Sequence, residues 1–398
     1  MNIGRKIYCR IFQRALWISL PFLPYRNPGI YNSLGQIPDI LKEEKKKKPL
    51  VVTDENLSRL GAVKPLLEIL EAAGVEYALF DKAFPNPTTQ LAREGAAFYR
   101  KQKCDSLIAF GGGSPMDLAK GIGVGIVRPR TPLEKMGGIL KVWRKLPLLI
   151  AVPTTAGTGS ETTLAAVLIE EKSRHKFAIN DFPLIPRYAV LDPVTIHTLP
   201  ASVAATTGLD ALTHAVEAYI GRSTTKETRA DARRAVRLIF ANLEGAVYHT
   251  STQAEAAMLE ASHYAGRAFT RSYVGYIHAV SHSLSGEYDL PHGWTNAVLL
   301  PLVLRRYGKA VRKPLAELAL CAGLGAEGES RKVLAEKFIS AIEEMNKAYH
   351  IPDKIQAIRR EDISRLAAYA DKEANPLYPV PVLWDARQLE EIYKEVAE

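Results

Sequence analysis

Short apolar runs alternate with helical segments over the first half of the chain, and this alternation limits the fold more than any other feature. Leucine, isoleucine, valine and aromatic residues concentrate in runs at 50–53, 77–80, 107–110, 148–152 and 188–191. Helical segments of roughly ten to fifteen residues separate such runs, a spacing typical of βαβ units. Strands that are connected through helices pair in parallel. The first half is therefore predicted to be an α/β domain with a mostly parallel sheet.

The second half of the chain has a different pattern, which is helical throughout. Long helical patterns occupy 201–220, 225–246, 254–269 and 331–350, and Pro200 stands where the pattern changes. We predict three parts: an N-terminal extension at residues 1–24, the α/β domain at 25–200 and an all-α domain at 201–398. We expect a cleft between the two large domains, a common place for a ligand.

The 398-residue chain carries a formal net charge of +9, which raises the question of a nucleic-acid or membrane partner. Its basic residues are spread along the sequence, and the one tight run, at 45–48, lies beside Glu43 and Glu44. We interpret that run as a solvated loop and predict no nucleic-acid partner. The three cysteines are far apart, which favours a reducing, cytoplasmic setting.

The N-terminal extension has the pattern of an amphipathic helix at 6–20. Ile7, Ile11, Ala15 and Ile18 recur three or four residues apart, with arginines between them. The apolar stretch at 15–23 is too short for a bilayer, which needs about 20 apolar residues, and its sequence does not suggest a signal peptide. We expect the helix to pack on the protein's own body or on a partner subunit. Contact with a membrane surface is the less favoured alternative.

A glycine-rich segment follows the third predicted strand, at 111–120. Gly112 and Gly113 allow the backbone to approach a ligand closely. Ser114 is predicted to cap the following helix, with Asp117 three residues later. The N-terminus of such a helix binds anions, for example a pyrophosphate. Short glycine motifs are weak evidence by themselves, so a tight strand-to-helix turn without a ligand stays open at this point.

A second segment of this kind follows the fourth predicted strand, at 153–161. Its hydroxyl residues are Thr154, Thr155, Thr158 and Ser160. Their side chains can contact a phosphate or a ribose, or alternatively form turns and caps. Two such loops at strand ends favour a nucleotide more than either does alone.

Asp54 ends the first predicted strand. A carboxylate at this place can accept hydrogen bonds from an adenosine ribose, and it would repel a 2′-phosphate. That role would favour NAD over NADP. A plain helix cap is an equal alternative.

Metal-binding residue types cluster in the helical half. Asp210 and His214 are four residues apart and share one helix face, as do His278 and His282, and His292 follows in a Pro-His-Gly segment. Each pair alone is equally consistent with a structural helix contact. Clustered ligand types usually mark a metal or catalytic site. Mixed imidazole and carboxylate ligation suits Fe²⁺ or Zn²⁺.

Together these segments resemble the iron-containing (group III) alcohol dehydrogenase family, from about residue 24 to about residue 393. The motifs that carry the resemblance are Gly-Gly-Gly-Ser-x-x-Asp-x-Ala-Lys at 111–120, Pro-Thr-Thr-x-Gly-Thr-Gly-Ser-Glu at 153–161, Gly-x-Asp-Ala-x-x-His at 208–214 and His-x-x-x-His at 278–282, followed by Pro-His-Gly at 291–293. The resemblance implies an N-terminal dinucleotide-binding α/β domain and a C-terminal helical metal-binding domain. Both agree with the strand and helix pattern.

The resemblance also implies roles for residues at matching positions. The positions that match metal ligands are Asp210, His214, His278 and His292. The positions that match cofactor contacts are Asp54, Gly112, Gly113, Ser114, Asp117, Thr154, Thr155, Thr158, Ser160 and Lys176. His282 matches a histidine that lies near the metal without being a permanent ligand. Arg271 and Tyr273 depart from the form found in some members and leave the substrate's size and polarity open.

The predicted activity is reversible hydride transfer between NAD(H) and a small alcohol or aldehyde, with NADP disfavoured. The ion, Fe²⁺ or alternatively Zn²⁺, would act as a Lewis acid on the substrate oxygen. We hypothesise that His282 relays a proton to or from solvent. The alternatives are a polyol oxidoreductase similar to glycerol dehydrogenase, a dehydroquinate synthase, and a non-catalytic nucleotide- or metal-binding module. A homodimer is the default assembly.

Overall fold

The computed structural model of this chain describes residues 1–171 and 176–397. The chain forms two compact units. The first, called the α/β unit, consists of Pro24–Leu199 and Ser251–Leu259. The second, called the helical unit, consists of Met1–Leu23, Pro200–Thr250 and Glu260–Glu398.

A six-stranded parallel sheet forms the centre of the α/β unit. The strands of the chain are β1 (Gly29–Tyr31), β2 (Pro49–Asp54), β3 (Ala78–Ala83), β4 (Ser106–Gly111), β5 (Gly138–Ile139), β6 (Leu148–Pro153), β7 (Ala165–Ile169), β8 (Lys176–Asn180) and β9 (Tyr188–Val190). The large sheet has the order β1-β9-β6-β4-β2-β3, and all its pairs are parallel. The five predicted strands are β2, β3, β4, β6 and β9, so the prediction of a mostly parallel sheet is confirmed.

Both faces of this sheet are buried, which explains the continuous apolar runs. Leu50 and Val52 of β2 belong to one apolar core, whereas Val51 belongs to the core on the opposite face. Successive side chains of a strand point to opposite faces, so a strand covered on both sides needs apolar residues at every position. Helices connect the strands, as in other βαβ folds.

A second, three-stranded sheet in the α/β unit was missed by the sequence analysis. It has the order β5-β8-β7, and β7 pairs with β8 in antiparallel orientation. Strand β5 has two residues and β8 begins at an exposed lysine. Neither strand has the long apolar run that identifies the strands of the large sheet.

The helices lie between the strands and fill the second half of the chain. They are α1 (Ile3–Ser19), α2 (Ile37–Glu43), α3 (Glu55–Arg59), α4 (Lys64–Ala72), α5 (Thr89–Lys101), α6 (Gly113–Val127), α7 (Ala201–Ile220), α8 (Lys226–Val247), α9 (Thr252–Ser272), α10 (Tyr276–Tyr288), α11 (His292–Tyr307), α12 (Arg312–Cys321), α13 (Arg331–Ala348), α14 (Ile363–Ala374) and α15 (Ala386–Ala397). The prediction of a helical second half is confirmed.

Helix α7 is buried around its whole circumference over its last 13 residues. Every residue from 208 to 220 is buried, and Asp210, His214 and Glu217 are among them. Buried ionisable groups are costly unless they are paired or bind a metal. The presence of these groups in an otherwise apolar helix therefore indicates a functional site at this part of α7.

The N-terminal helix α1 packs on the helical unit, but with the face opposite to the expected one. The amphipathic pattern predicts that the isoleucines pack on the protein's own body or on a partner subunit. Within this chain, Cys9 and Gln13 are buried while Ile7, Ile11 and Ile18 are exposed, so the isoleucines do not pack on the protein's own body. Among the described residues, no helix combines the length and the apolar character needed to cross a membrane.

Candidate active site

The glycine-rich segment connects β4 to α6, as predicted, but the cap of the helix differs. Helix α6 begins at Gly113 with Gly112 as the N-cap, so Ser114 lies inside the first turn and is not the cap. Gly111 has a φ of 149°, and a Cβ atom there would lie 2.4 Å from Cγ of Pro115. Only glycine fits this turn, because other residues rarely adopt that backbone conformation and would collide with the proline ring.

The second loop leaves the neighbouring strand at the same edge of the sheet. Strands β4 and β6 pair over their whole length, with Gly111 opposite Pro153. The amide of Thr154 donates to the carbonyl oxygen of Gly111 at 3.2 Å. A Cβ atom on Gly112 would lie 3.3 Å from Oγ1 of Thr155. The two predicted loops therefore face each other across a short distance.

Lys120 ties the two loops together, a role that sequence reasoning missed. Its ammonium group donates to the carbonyl oxygens of Ser160, Thr163 and Ala165 at 2.8, 3.0 and 2.9 Å. Burial lowers the pKa of Lys120 to about 8, and Asp117 acts in the opposite direction. Burial likewise raises the pKa of Asp117 to about 6, opposed mainly by Lys120. The position of the lysine three residues after Asp117, on the same helix face, was the available signal.

The hydroxyl group of Thr155 is a polar atom that its own surroundings do not satisfy. Its Oγ1 is buried and has no hydrogen-bond partner among the described residues. A buried hydroxyl without a partner is unfavourable, and this one lies beside the bare backbone of Gly112. The neighbouring Thr158 accepts a hydrogen bond from the amide of Ser160 at 3.3 Å. An unsatisfied donor beside a glycine loop is what a phosphate-binding loop offers to its ligand.

Two other predicted cofactor residues have contacts of their own. Asp54 ends β2 and caps α3, with the amide of Leu57 donating to its Oδ1 at 2.9 Å. The helix-cap alternative for Asp54 is therefore realised, and one carboxylate can serve both purposes. Lys176 is exposed at the start of β8 and donates to Oδ1 of Asn86 at 2.8 Å.

Three helices of the helical unit bring the predicted metal-binding side chains together. Asp210 and His214 lie on α7, His278 lies on α10, and His292 begins α11. The distances to Asp210 oxygens are 3.9 Å from His214 Nδ1, 4.0 Å from His278 Nε2 and 3.8 Å from His292 Nε2. Possible ligand atoms of Asp210, His214 and His278 all lie within 4.8 Å of one another. Such separations suit donors arranged around one ion with bonds of about 2 Å.

Asn296 lies among these donors and was not predicted. Its Nδ2 donates to Oδ1 of Asp210 at 2.7 Å and lies 3.1 Å from Nε2 of His292 and 3.3 Å from Nε2 of His278. Because one nitrogen reaches all three atoms, these atoms point at a common position. The signal in the sequence was its place four residues after His292 on the same helix.

The chemistry of these donors fits a divalent transition-metal ion. Imidazole ligands must be neutral, and burial lowers the pKa of His278 well below its ordinary value, with the neighbouring His214 adding to the effect. Burial raises the pKa of Asp210, a cost that a cation in front of the carboxylate offsets.

Glu217 orients the ring of His278 through Nδ1, the ring nitrogen that does not face the other donors. This residue was not predicted from the sequence. Its Oε2 lies 2.6 Å from Nδ1 of His278 and accepts from the amide of Gly275 at 2.7 Å, while Oε1 accepts from the amide of Ile277 at 2.9 Å. Burial raises the pKa of Glu217 to about 8, and hydrogen bonds from the backbone of Gly275, Ile277 and His278 act in the opposite direction. When Nδ1–H donates to Glu217, the lone pair of Nε2 is directed to the donor cluster. A carboxylate in this position is common behind metal-bound histidines.

His282 lies beside the cluster, one turn after His278 on α10. Its ring stacks on that of His292 with centroids 5.0 Å apart. Its Nδ1 lies 2.6 Å from Oε1 of Glu373, and that oxygen accepts from the hydroxyl group of Tyr378 at 2.7 Å. The side chain of His282 is 39% exposed, so it has access to solvent as well as to the cluster.

Of the two bulky residues before His278, Arg271 forms an ion pair with Glu227 of α8. Tyr273 follows the C-terminus of α9 in a left-handed conformation, with a φ of 60°. Burial raises the pKa of Tyr273. An aromatic contact to the cluster comes from Phe269, whose ring stacks on that of His214 with centroids 4.2 Å apart.

Family models match the chain along nearly its whole length. The one described as "Iron-containing alcohol dehydrogenase" covers residues 30–193, and "Fe-containing alcohol dehydrogenase family, C-terminal" covers residues 204–397. The chain belongs to the iron-containing alcohol dehydrogenase family. The family, the fold class and the enzyme class predicted from the sequence are thus confirmed, as are iron and NAD as the cofactors.

Individual members of the family are similar over most of their length. A 1,3-propanediol dehydrogenase of Klebsiella pneumoniae is 40% identical over 334 residues, which are 83% of this chain and 86% of the relative. An NAD-dependent methanol dehydrogenase of Bacillus methanolicus is 35% identical over 333 residues, 83% of this chain and 87% of the relative. The crystal structure of a 1,3-propanediol oxidoreductase superposes with a TM-score of 0.89 at 36% identity, covering 94% of this chain and 98% of that one. This iron-containing alcohol dehydrogenase is accordingly an NAD-dependent oxidoreductase of small alcohols.

Proposed function

We propose that this enzyme interconverts a short diol, or another small alcohol, with its aldehyde. The convergence of Asp210, His278 and His292, with His nitrogens 4.0 and 3.8 Å from one carboxylate oxygen, is the observation that carries the proposal. The relatives named for 1,3-propanediol and methanol support a small, uncharged substrate. A three-carbon diol is the substrate we favour.

The ion is proposed to bind to four side chains. They are Asp210, His214, His278 and His292. The carboxylate would offset part of the ion's positive charge, and the neutral imidazoles would leave the rest of it. Iron held there would supply Lewis acidity toward a substrate oxygen, and a nicotinamide cofactor would supply the hydride donor or acceptor.

The nucleotide is proposed to bind at the two loops after β4 and β6. The proposed contacts are Asp54, Gly112, Gly113, Ser114, Asp117, Thr154, Thr155, Thr158, Ser160 and Lys176. The backbone amides at the start of α6 and the unpaired hydroxyl of Thr155 are suited to the pyrophosphate. The carboxylate of Asp54 disfavours a 2′-phosphate, which gives the preference for NAD over NADP.

His282 is proposed to move the proton between the substrate hydroxyl group and solvent. Glu373 fixes the orientation of the ring through the contact at Nδ1, so that Nε2 is the atom that exchanges the proton. Tyr378 in turn holds Glu373. Removing the imidazole with His282→Ala is expected to shift or flatten the pH–rate profile, because a positioned general acid–base group typically contributes about 100-fold or more. An unchanged profile would contradict this role.

Nucleotide binding and metal binding are proposed to belong to two domains. The nucleotide-binding domain is residues 25–200, the metal-binding domain is residues 201–398, and residues 1–24 form an extension.

A cytoplasmic location is supported by the three free cysteines, of which Cys104 has its pKa raised to about 11 by burial. A homodimer is the assembly we propose, because two-fold dimers are the commonest oligomers. Analytical ultracentrifugation of the full chain tests the assembly.

A substrate panel tests the proposed function. Metal-depleted protein is reconstituted with Fe²⁺ or with Zn²⁺, and oxidation is measured with 1,3-propanediol, glycerol, ethanol and methanol in the presence of NAD or NADP. We expect the highest kcat/KM with the three-carbon diol, Fe²⁺ and NAD. A clear preference for glycerol with Zn²⁺ would instead support a polyol oxidoreductase of the glycerol dehydrogenase type.

A further inference from the structure

The outward side of α1 carries a continuous row of apolar side chains, called here the outer apolar face. Its members are Ile3, Ile7, Tyr8, Ile11, Phe12 and Ile18, with Phe22 just after the helix. Ile7, Ile11 and Ile18 are 54%, 64% and 55% exposed, and their spacing of four and seven residues places them on one side of the helix. Large contiguous apolar patches on a surface mark interaction sites.

The opposite side of α1 is fixed to the helical unit by polar contacts. The guanidinium group of Arg5 donates both of its hydrogen bonds to Asp371 on α14, each at 2.8 Å. The buried amide of Gln13 donates to the carbonyl oxygen of Tyr378 at 2.7 Å, and Arg10 donates to that of Val380 at 2.7 Å. Turning the helix to bury its isoleucines would break these contacts. The outer apolar face is therefore a fixed feature of this fold.

The charged side chains of α1 itself are all basic. No acidic residue precedes Asp39 in the sequence, and Lys6 and Arg14 are exposed on α1. The guanidinium group of Arg14 lies 4.4 Å from the ring centroid of Trp17. Apolar and aromatic side chains flanked by basic residues are the composition of helices that lie in the surface of an anionic bilayer.

A second copy of the chain fits this face less well than a bilayer does. A two-fold contact of the face with itself would bring the basic residues of two α1 helices together, and α1 offers no carboxylate to pair with them. Like charges brought together in this way oppose association. Anionic headgroups, in contrast, complement these charges while the isoleucines enter the boundary of the acyl chains.

We propose that α1 docks this enzyme on the surface of a bilayer that contains anionic lipids. The helix lies parallel to the surface, its outer apolar face enters the headgroup region, and Lys6 and Arg14 contact the headgroups. The polar side of α1 transmits this attachment to the helical unit through Arg5 and Gln13. The binding is peripheral and reversible, because only one face of one short helix takes part.

Sedimentation with lipid vesicles tests the proposal on the full-length, metal-loaded protein. We expect binding to vesicles of phosphatidylcholine mixed with phosphatidylglycerol and much weaker binding to phosphatidylcholine alone. Ile7→Ser combined with Ile11→Ser should lower the partition coefficient at least about tenfold, since two partly buried isoleucines are lost. Lys6→Gln combined with Arg14→Gln should lower it about twentyfold or more at low salt, at about fivefold for each charge.

Matched substitutions elsewhere serve as controls. Leu60→Ser combined with Ile139→Ser removes two apolar side chains of similar exposure from the α/β unit, and Lys45→Gln combined with Lys47→Gln weakens the other basic run. Both controls should bind vesicles like the wild type, and all variants should keep their aldehyde reductase activity and melting temperature. The proposal is overturned if the wild type does not bind the mixed vesicles, or if the α1 variants bind them as well as the wild type does. It is also overturned if the isoleucine variant dissociates an oligomer in analytical ultracentrifugation, because the outer apolar face would then be a subunit contact.

Discussion

The substitution Glu217→Gln tests how the protein prepares His278 for a metal. Oε2 of Glu217 serves two donors, the amide of Gly275 at 2.7 Å and Nδ1 of His278 at 2.6 Å, and Oε1 serves the amide of Ile277 at 2.9 Å. Glutamine has the same shape but only one acceptor oxygen. Whichever way its amide group is turned, at least one of these donors faces an NH₂ group. The substitution therefore removes one interaction without opening a cavity.

The size of the effect follows from these contacts. One unsatisfied buried donor costs about 1–3 kcal/mol of folding free energy. Loss of the group that orients a ligating histidine lowers metal affinity about 10–100-fold, which corresponds to about 1.4–2.7 kcal/mol of binding free energy. The assay is calorimetric titration of metal-depleted protein with Fe²⁺ or Zn²⁺, together with the melting temperature of the metal-free form.

Glu317→Gln is the control for this experiment. Glu317 also lies on a helix of the helical unit, and its Oε2 accepts from the hydroxyl group of Tyr219 at 2.5 Å. This variant should lose stability without losing metal affinity. The reasoning is refuted if Glu217→Gln binds the metal as tightly as the wild type does.

Three further predictions concern stability. Hydrogen bonds from side chains, that of Arg365 first, lower the pKa of Asp362 from 3.8 to about 2. The ionised carboxylate of Asp362 therefore stabilises the fold above pH 3.8, and this contribution is lost as the pH falls through 2. Asp362→Asn should lower the melting temperature at neutral pH and leave it unchanged near pH 2, so equal melting temperatures at neutral pH would contradict the assignment. Gln13→Leu removes the amide that donates to the carbonyl oxygens of Pro376 and Tyr378, of which the second keeps the amide of Val380 as a donor. Urea unfolding should show a loss of about 1–3 kcal/mol, whereas an unchanged midpoint would mean that water replaces the amide. Gly95→Ala places a Cβ atom 2.3 Å from Cδ1 of Ile122 and should lower the free energy of unfolding by about 1–3 kcal/mol. In the double variant with Ile122→Ala, the total loss of stability should be smaller than the sum of the two single losses. Strict additivity would argue against this contact.

The parts of the fold that could be predicted are those with a strong periodic signal. The buried strands of the large sheet are apolar at nearly every position because both faces are covered, and α7 is long and apolar. The small sheet gave no such signal, because its strands are short and partly exposed. For α1, amphipathicity identified two faces but not which of them meets water, since that depends on acceptors more than 360 residues away, such as Asp371 and Tyr378.

The candidate site divides in the same way. Asp210, His214 and His278 are visible as ligand types at helical spacing, and the structure brings them together in one buried cluster. The groups that orient the histidines were not predicted, because Glu217 lies 61 residues from His278 and Glu373 lies 91 residues from His282. Contacts at such distances depend on how helices cross, which periodicity within one helix does not report.

Metal titration of catalysis tests the central claim most directly. Metal-depleted protein is titrated anaerobically with Fe²⁺ while the initial rate of NADH oxidation by a short aldehyde is measured. We predict that the rate of the wild type rises to a break at a single ion per chain, and that His278→Gln shows no activation over the same range although its circular dichroism spectrum remains that of the wild type. Activation of His278→Gln with the same break and the same final rate would contradict the assignment of this cluster as the metal site.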